Sequence, residues 1–138
     1  GALDRTVRSL AARLQADGLQ GERAMLIFEP GLDFVVAFVA CLYAGVVPVP
    51  AYPPEPHRMA HTLARLKSIV IDAEAKVVLT SPLIRGFAET LVAQANSEAI
   101  SALAWITVDE TGAHTPEAWV RPAITDEGLA FLQYTSGS

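Results

Sequence analysis

The sequence contains a single cysteine, Cys41, so no disulfide can form within the chain. A chain without disulfides is typical of a reducing compartment, and we therefore expect a cytoplasmic protein. The stretch around Cys41, from Phe38 to Leu42, offers no base or cation that would activate a thiol. This pattern favours a thiol packed in a core over a nucleophile.

Clusters of positive charge are also lacking. Lys and Arg number 10 against 15 Asp and Glu, the net charge is −5, and no basic run stands out. A nucleic-acid-binding face needs such a run, so we expect no nucleic-acid partner. The first residues include Asp4, Arg5 and Arg8 without an apolar segment after them, which is not the pattern of a signal peptide.

The long uncharged stretch over residues 34–52 lacks the continuity of a membrane span. Gly45 and two prolines interrupt it, which leaves residues 34–44 as a helix too short to cross a bilayer. Residues 46–49 then form a separate extended piece. We therefore expect no transmembrane segment, but a helix that is apolar nearly all round and sandwiched in a core.

What the sequence does contain is an alternation of two apolar patterns. Leu3, Val7, Leu10 and Leu14 recur at helical spacing, and Gly18 follows as a C-cap. Short continuous apolar runs, typical of strands covered on both faces, predict strands at 24–28, 76–80 and 105–109. Because helices separate the strands, the sequence predicts one α/β domain over residues 1–138, with a layered, mainly parallel sheet flanked by helices.

Turn residues divide the second half of the chain. A helix is predicted to begin just after Pro56. Ser81 and Pro82 open another helix as its N-cap and first residue, with Phe87 on the buried stripe. The Gly, Thr, Pro and acid-rich connection over residues 110–127 is interpreted first as a surface loop and second as a specificity loop.

Two histidines are the one pair with a metal-ligand spacing. His57 and His61 are four residues apart and would share a helix face. No acidic or sulfur ligand follows at helical spacing, and Arg58 and Arg65 add positive charge nearby. We therefore favour a solvated helix over a metal site.

The last ten residues are the part of the chain that indicates a specific chemistry. Residues 129–134 are predicted to form a buried strand, and Thr135, Ser136, Gly137 and Ser138 follow it as a turn. Three hydroxyls, consecutive N–H groups and a glycine could converge on a phosphate at the end of a strand. A cluster of this kind is also an ordinary turn, so the residues alone leave both interpretations open.

Two segments resemble one family. Residues 131–138 (FLQYTSGS) are similar to the start of the phosphate-binding loop of the acyl-adenylate-forming superfamily. Within that superfamily, the segment with Gln133 resembles the loop of the fatty acyl-AMP ligases. Residues 42–54 (LYAGVVPVPAYPP) resemble a second family segment, and the ending from Tyr52 to Pro54 is similar to the ligases rather than to the amino-acid-activating branch. The resemblance covers about Leu3 to Ser138.

The resemblance implies the N-terminal portion of an AMP-binding domain, the large domain of a fatty acyl-AMP ligase. Such an enzyme activates a fatty acid with ATP and Mg²⁺ to acyl-adenylate, then transfers the acyl group to an acyl carrier protein or to a polyketide or nonribosomal peptide synthase. By resemblance, Thr135, Ser136, Gly137 and Ser138 would bind the ATP phosphates. The family motif continues Thr-Gly-x-Pro-Lys-Gly beyond Ser138, so the domain is expected to be truncated within this loop and these residues alone to be inactive.

Two alternatives stay open. Acyl-CoA synthetases and amino-acid adenylation domains share the scaffold, so the choice of the ligase branch depends on Gln133 and the segment from Tyr52 to Pro54. An α/β binding module without chemistry is the alternative of another class. The sequence shows no paired carboxylates at a useful spacing and no activated nucleophile, which is what such a module would show.

Overall fold

Helices and strands alternate in the computed structural model, which describes residues 1–53, 55–109 and 114–122. The strands are β1 (Arg23–Ile27), β2 (Val47–Ala51), β3 (Val77–Thr80) and β4 (Ala104–Thr107). The α-helices are α1 (Ala2–Ala16), α2 (Leu32–Ala44), α3 (Met59–Ala73), α4 (Pro82–Arg85), α5 (Ala88–Ala95) and α6 (Glu98–Ser101). Short 3-10 turns cover Pro56–Arg58 and Pro116–Ala118.

The four strands form one sheet in the order β2-β1-β3-β4, and each neighbouring pair is parallel. This confirms the predicted α/β class with a parallel sheet. Strand β2 contains Pro48 and Pro50, which lack an N–H, yet it pairs with β1. Among the described strands β2 lies at the edge of the sheet, and such a strand tolerates both prolines because only one of its sides needs ladder hydrogen bonds.

Two apolar cores lie on opposite faces of the sheet. Because side chains alternate along a strand, β1 sends Ala24 and Leu26 toward α1 and α2, and Met25 and Ile27 toward α3. All four are fully buried. A sheet covered on both faces explains why its strands are continuous apolar runs in the sequence.

Two glycines end α1 and α2, the helices that cover one face of the sheet. Gly18 (φ +73°) and Gly45 (φ +77°) adopt the left-handed conformation after α1 and α2. In each case the N–H of the glycine and that of the next residue donate to carbonyls of the last helical turn. This is the Schellman arrangement that a C-terminal glycine favours, as predicted for both positions.

The prediction that α2 is sandwiched in a core is wrong. Its buried side consists of Val36, Cys41 and small residues, whereas Leu32 is 62% and Val35 is 46% exposed. The small side chains let the helix approach α1 and the sheet closely, while its large aromatic side chains pack against the same core only in part. Apolar periodicity does not reveal this, because both sides of the helix are apolar.

The helix predicted after Ser81 is also interrupted. Ser81 and Pro82 do open α4, but it ends at Arg85, and a new helix begins at Ala88. Between the two helices, Phe87 is 41% exposed rather than buried on a stripe. Residues on the two sides of this break belong to different helices, so they do not form one continuous stripe.

Candidate functional site

Parallel strands bring their carboxyl ends to one edge of the sheet. Strand β1 leads to Phe28 and Glu29, β2 leads to Tyr52, and β3 leads to Ser81. The connection from β1 runs outward to β2, whereas the connection from β3 runs outward to β4 on the other side. The gap between β1 and β3 is therefore a topological switch point, the place where open α/β sheets bind ligands.

Buried hydroxyls cross this switch point. The Thr80 hydroxyl donates to the carbonyl of Ile27 at 2.6 Å. The Ser81 hydroxyl donates to Oε2 of Glu29 at 2.7 Å and accepts from the Ile84 N–H at 3.2 Å, which caps α4. Thr80 and Ser81 are almost fully buried, so the two strand ends and the Glu29 carboxylate are held together.

A cleft of about 650 Å³ opens beside the switch point. It lies between the start of α2 and the first half of α3, and its apolar lining includes Phe28, Phe34, Leu66 and Ile69. The Phe28 and Phe34 rings meet edge to face, with centroids 6.2 Å apart. Small-molecule sites commonly have about 300–1,000 Å³, so the cleft has the volume of a ligand site.

The rim of the cleft is charged. Arg58, His61 and Arg65 lie along one side of the α3 segment and line the cleft together with Glu29 and Glu55. The Arg65 guanidinium carbon lies 5.8 Å from the ring centroid of the exposed Tyr52. An apolar floor with charges of both signs at the rim suits an amphipathic ligand with a polar end.

The described residues supply binding groups rather than a nucleophile at this edge. Cys41 is fully buried in α2, on the face of the sheet that α1 and α2 cover, and it does not line the cleft. Burial raises the pKa of the Cys41 thiol and keeps it protonated. The structure therefore agrees with a core role for this cysteine.

The predicted phosphate-binding site belongs to the last residues of the chain. Thr135, Ser136, Gly137 and Ser138 lie outside the residues that the structure describes, so the phosphate-binding loop stays a prediction. The predicted strand over residues 129–134 also lies outside them.

The two histidines are separated by a change of helix type. His57 belongs to the 3-10 turn, with Nε2 3.5 Å from Oε2 of Glu55, whereas His61 belongs to α3. Within residues 1–53, 55–109 and 114–122, no group of three or more His, Cys, Asp or Glu side chains is arranged to hold a metal ion. In the same ranges, no helix combines the length and apolar character needed to cross a membrane.

Sequence reasoning missed Glu29 and Ser81 as partners. The sequence indicates Ser81 only as a helix cap, whereas its hydroxyl donates to Glu29, 52 positions away in the chain. A usable signal was present, because each polar residue closely follows a buried strand of a predicted parallel sheet.

Comparison with known proteins gives the family. The model of the family described as AMP-binding enzyme matches residues 1–138. The medium-chain-fatty-acid–[acyl-carrier-protein] ligase JamA of Moorena producens (strain JHB) is 40% identical over 136 residues, covering 99% of this chain and 23% of that protein. The long-chain-fatty-acid–AMP ligase FadD32 of Mycolicibacterium smegmatis is 34% identical, covering 95% of this chain and 20% of that protein.

A solved structure agrees with these relatives. The fatty acyl-adenylate ligase of L. pneumophila, in complex with acyl adenylate and pyrophosphate, is 28% identical with a TM-score of 0.69. The match covers 89% of this chain and 20% of that protein. The resemblance seen in the sequence is thereby confirmed, and the chain spans less than a quarter of the length of the relatives it matches.

Proposed function

Since this chain belongs to the AMP-binding enzyme family, we propose that it is part of a fatty acyl-AMP ligase. The observation that carries the proposal is the 40% identity over 136 residues to a fatty-acid–[acyl-carrier-protein] ligase. The carboxyl edge of the sheet supports it, because an amphipathic cleft lies beside a switch point there.

The proposed reaction begins with ATP and a fatty acid. The fatty carboxylate attacks the α-phosphate, which forms acyl-adenylate and releases pyrophosphate. Negative charge increases on the phosphate oxygens, so N–H and hydroxyl donors aimed at them lower the barrier. We assign this role to Thr135, Ser136, Gly137 and Ser138.

Magnesium enters the proposal with the nucleotide. Mg²⁺ is usually held by phosphates and one or two carboxylates with several waters, rather than by a protein cage. Glu29 could supply a carboxylate of this kind, because it lines the cleft at the carboxyl edge of the sheet. Bound Mg²⁺ would neutralise phosphate charge.

The acyl group would then pass to the phosphopantetheine thiol of a carrier. We propose an acyl carrier protein, free or within a polyketide or nonribosomal peptide synthase, as the partner. This transfer needs the carrier protein and ATP in the same compartment. We therefore propose that the protein acts in the cytoplasm.

The test uses the complete protein that contains this sequence. With ATP and Mg²⁺, we expect pyrophosphate release that depends on a fatty acid, an acyl-adenylate detectable by mass spectrometry, and acyl transfer to a holo carrier protein. Acyl-CoA formation would identify a synthetase instead, and amino-acid-dependent pyrophosphate exchange an adenylation domain. No adenylation and no stabilisation by nucleotide would favour the non-catalytic module.

A pair of serine variants tests the assigned loop. Removing one donor to a developing oxyanion lowers kcat about 100- to 1,000-fold, so we expect Ser136→Ala to approach that loss. Ser101→Ala is the matched control, because Ser101 is exposed at the end of α6. Equal activity of both variants would contradict the assignment of Ser136.

A further inference from the structure

Three basic residues form an exposed surface beside the cleft, called the basic face here. Arg58 directly precedes α3, and His61 and Arg65 follow it in the helix, three and seven positions later. Side chains at this spacing lie on one side of a helix, and all three are exposed and line the cleft. No aspartate or glutamate occurs over residues 56–71, so this surface is positive in a chain whose net charge is −5.

The described chain does not neutralise the two arginines of the basic face. The Arg65 guanidinium lies over the ring of Tyr52, which is a neutral partner. Among the described residues, no carboxylate forms an ion pair with Arg58 or Arg65. Both positive charges are therefore available to a partner in solution.

The carboxylates on the same rim are already engaged. Glu29 accepts the hydrogen bond of the Ser81 hydroxyl at 2.7 Å. Oε2 of Glu55 lies 3.5 Å from Nε2 of His57, which belongs to the turn before α3. The arginines thus stay without an ion pair although two carboxylates line the same cleft.

The position of the basic face limits which molecules can use it. It borders the cleft at the carboxyl edge of the sheet, where open α/β sheets bind their ligands. Exposed charges without partners contribute little to folding, but they attract a partner of opposite charge and raise its association rate. A surface of this kind at the mouth of a cleft suits an acidic partner that delivers a group to the cleft or removes one from it.

We propose that the basic face is the docking surface for an acidic patch on the carrier protein. The inference rests on the proposed function for the identity of this partner. The carrier has to bring its thiol to the acyl-adenylate, so it has to approach the carboxyl edge of the sheet. Arg58 and Arg65 attract it there and orient it, while the chemistry is left to other residues.

The kinetic test isolates the transfer step in the complete protein. Enzyme loaded with acyl-adenylate is mixed with holo carrier protein at several concentrations, which gives a second-order rate constant that the adenylation step does not enter. Electrostatic steering raises association rates about 10- to 1,000-fold. We therefore expect the double variant Arg58→Glu, Arg65→Glu to lower this constant at least about 10-fold. Added salt should reduce the difference from the wild type, because salt screens exposed charges.

Lys67→Glu is the matched control for the single variant Arg65→Glu. Lys67 belongs to the same helix and is equally exposed, but it does not line the cleft. The two variants change the net charge by the same amount, and we expect only Arg65→Glu to slow the transfer. Equal losses would mean that net charge alone controls association, which would overturn the proposal.

Charge-conserving variants separate attraction from shape. The double variant Arg58→Lys, Arg65→Lys keeps both positive charges and loses the planar guanidinium groups. Because the proposed role is electrostatic, this variant should keep most of the transfer rate. A loss as large as that of the double glutamate variant would contradict the proposal.

A binding measurement does not need catalysis. The complete protein is titrated into fluorescently labelled holo carrier protein, and the double glutamate variant should bind about 10-fold more weakly by anisotropy. Binding that depends on the arginines in a protein that forms no acyl-adenylate would refute the proposed function and leave the docking surface standing. Equal carrier affinity of variant and wild type, or no binding by either, would overturn the docking surface. If carrier affinity is equal and the KM for the fatty acid rises in the variant, the arginines bind the anionic end of the fatty acid instead.

Discussion

The two edges of the sheet differ in how completely their side chains are used. At the amino edge, from which the strands begin, Gly18 and Gly45 cap α1 and α2, and the Gly21 N–H donates to the Gly45 carbonyl at 2.8 Å. Residues 114–122 contact the ends of both helices there. At the carboxyl edge, Tyr52 is 75% and Leu83 is 67% exposed beside an open cleft. Contacts of the chain with itself hold the amino edge, although Val120 there is 69% exposed, whereas the carboxyl edge keeps apolar surface available beside the cleft.

This difference assigns the edges different roles. Contacts that bring residues far apart in sequence together stabilise the folded state, and the hydrogen bonds of residues 119 and 120 to Tyr43 and Gln15 do this across more than 70 residues. Apolar surface left exposed with charges beside it does not stabilise the chain, and is typical of a binding surface. We therefore expect substitutions at the amino edge to affect stability most, and those at the exposed carboxyl edge to affect it least.

The largest effect is expected for Gly45→Ala. A left-handed backbone costs a residue with a Cβ about 1–2 kcal/mol, and here the added Cβ would also press on Gln20 and Pro122 at 3.2 Å. Overpacking adds about 1–3 kcal/mol. Urea unfolding should show the sum of both losses.

Gly18→Ala is the matched control for this variant. Gly18 has nearly the same φ, but nothing lies within 4 Å of its added Cβ. It should therefore show only the backbone part of the loss. Equal losses for both variants would mean that the contact between Pro122 and Gly45 does not stabilise the amino edge.

A medium effect is expected for Thr80→Val, at the buried part of the carboxyl edge. The substitution removes the 2.6 Å hydrogen bond to the Ile27 carbonyl while keeping the side-chain shape. Deleting one partner of a buried hydrogen bond costs about 1–3 kcal/mol, and thermal or urea unfolding measures this loss.

Thr107→Val makes this prediction sharper. Thr107 lies beside Thr80 in register on β4 and is equally buried, but its hydroxyl has no hydrogen-bond partner among the described residues. Burial of an unpaired hydroxyl is unfavourable, so this variant should be neutral or more stable. A loss comparable with that of Thr80→Val would show that the Thr107 hydroxyl does have a partner in solution.

The sequence predicted local features well and distant contacts poorly. The strands were found because sheets covered on both faces need continuous apolar runs, and the helix ends at Gly18 and Gly45 because glycine has a local preference there. The side on which α2 is buried was not found, since both of its sides are apolar. The sequence did not predict the break before Phe87, because we expected one helix with a continuous apolar stripe there.

The candidate site shows the same limit more strongly. The hydrogen bond of Ser81 to Glu29 joins residues 52 positions apart, and those of Trp119 and Gln15 span 76 and 105 positions. No local pattern records such pairs, because each depends on the order of strands in the sheet. The phosphate-binding residues from Thr135 to Ser138 were identified by resemblance, and they stay a prediction.

The smallest effect is expected for Tyr52→Ala at the exposed part of the carboxyl edge. Its side chain is mostly in water, and the Arg65 guanidinium 5.8 Å from its ring is itself exposed. Such a surface substitution changes the free energy of unfolding by about 0.5 kcal/mol or less. Leu83→Ala is the matched control at the same edge outside the cleft, and it should be equally mild in unfolding experiments. If Tyr52→Ala alone lost more than about 1 kcal/mol, the rim of the cleft would be holding the fold together, and the division of roles between the two edges would be wrong.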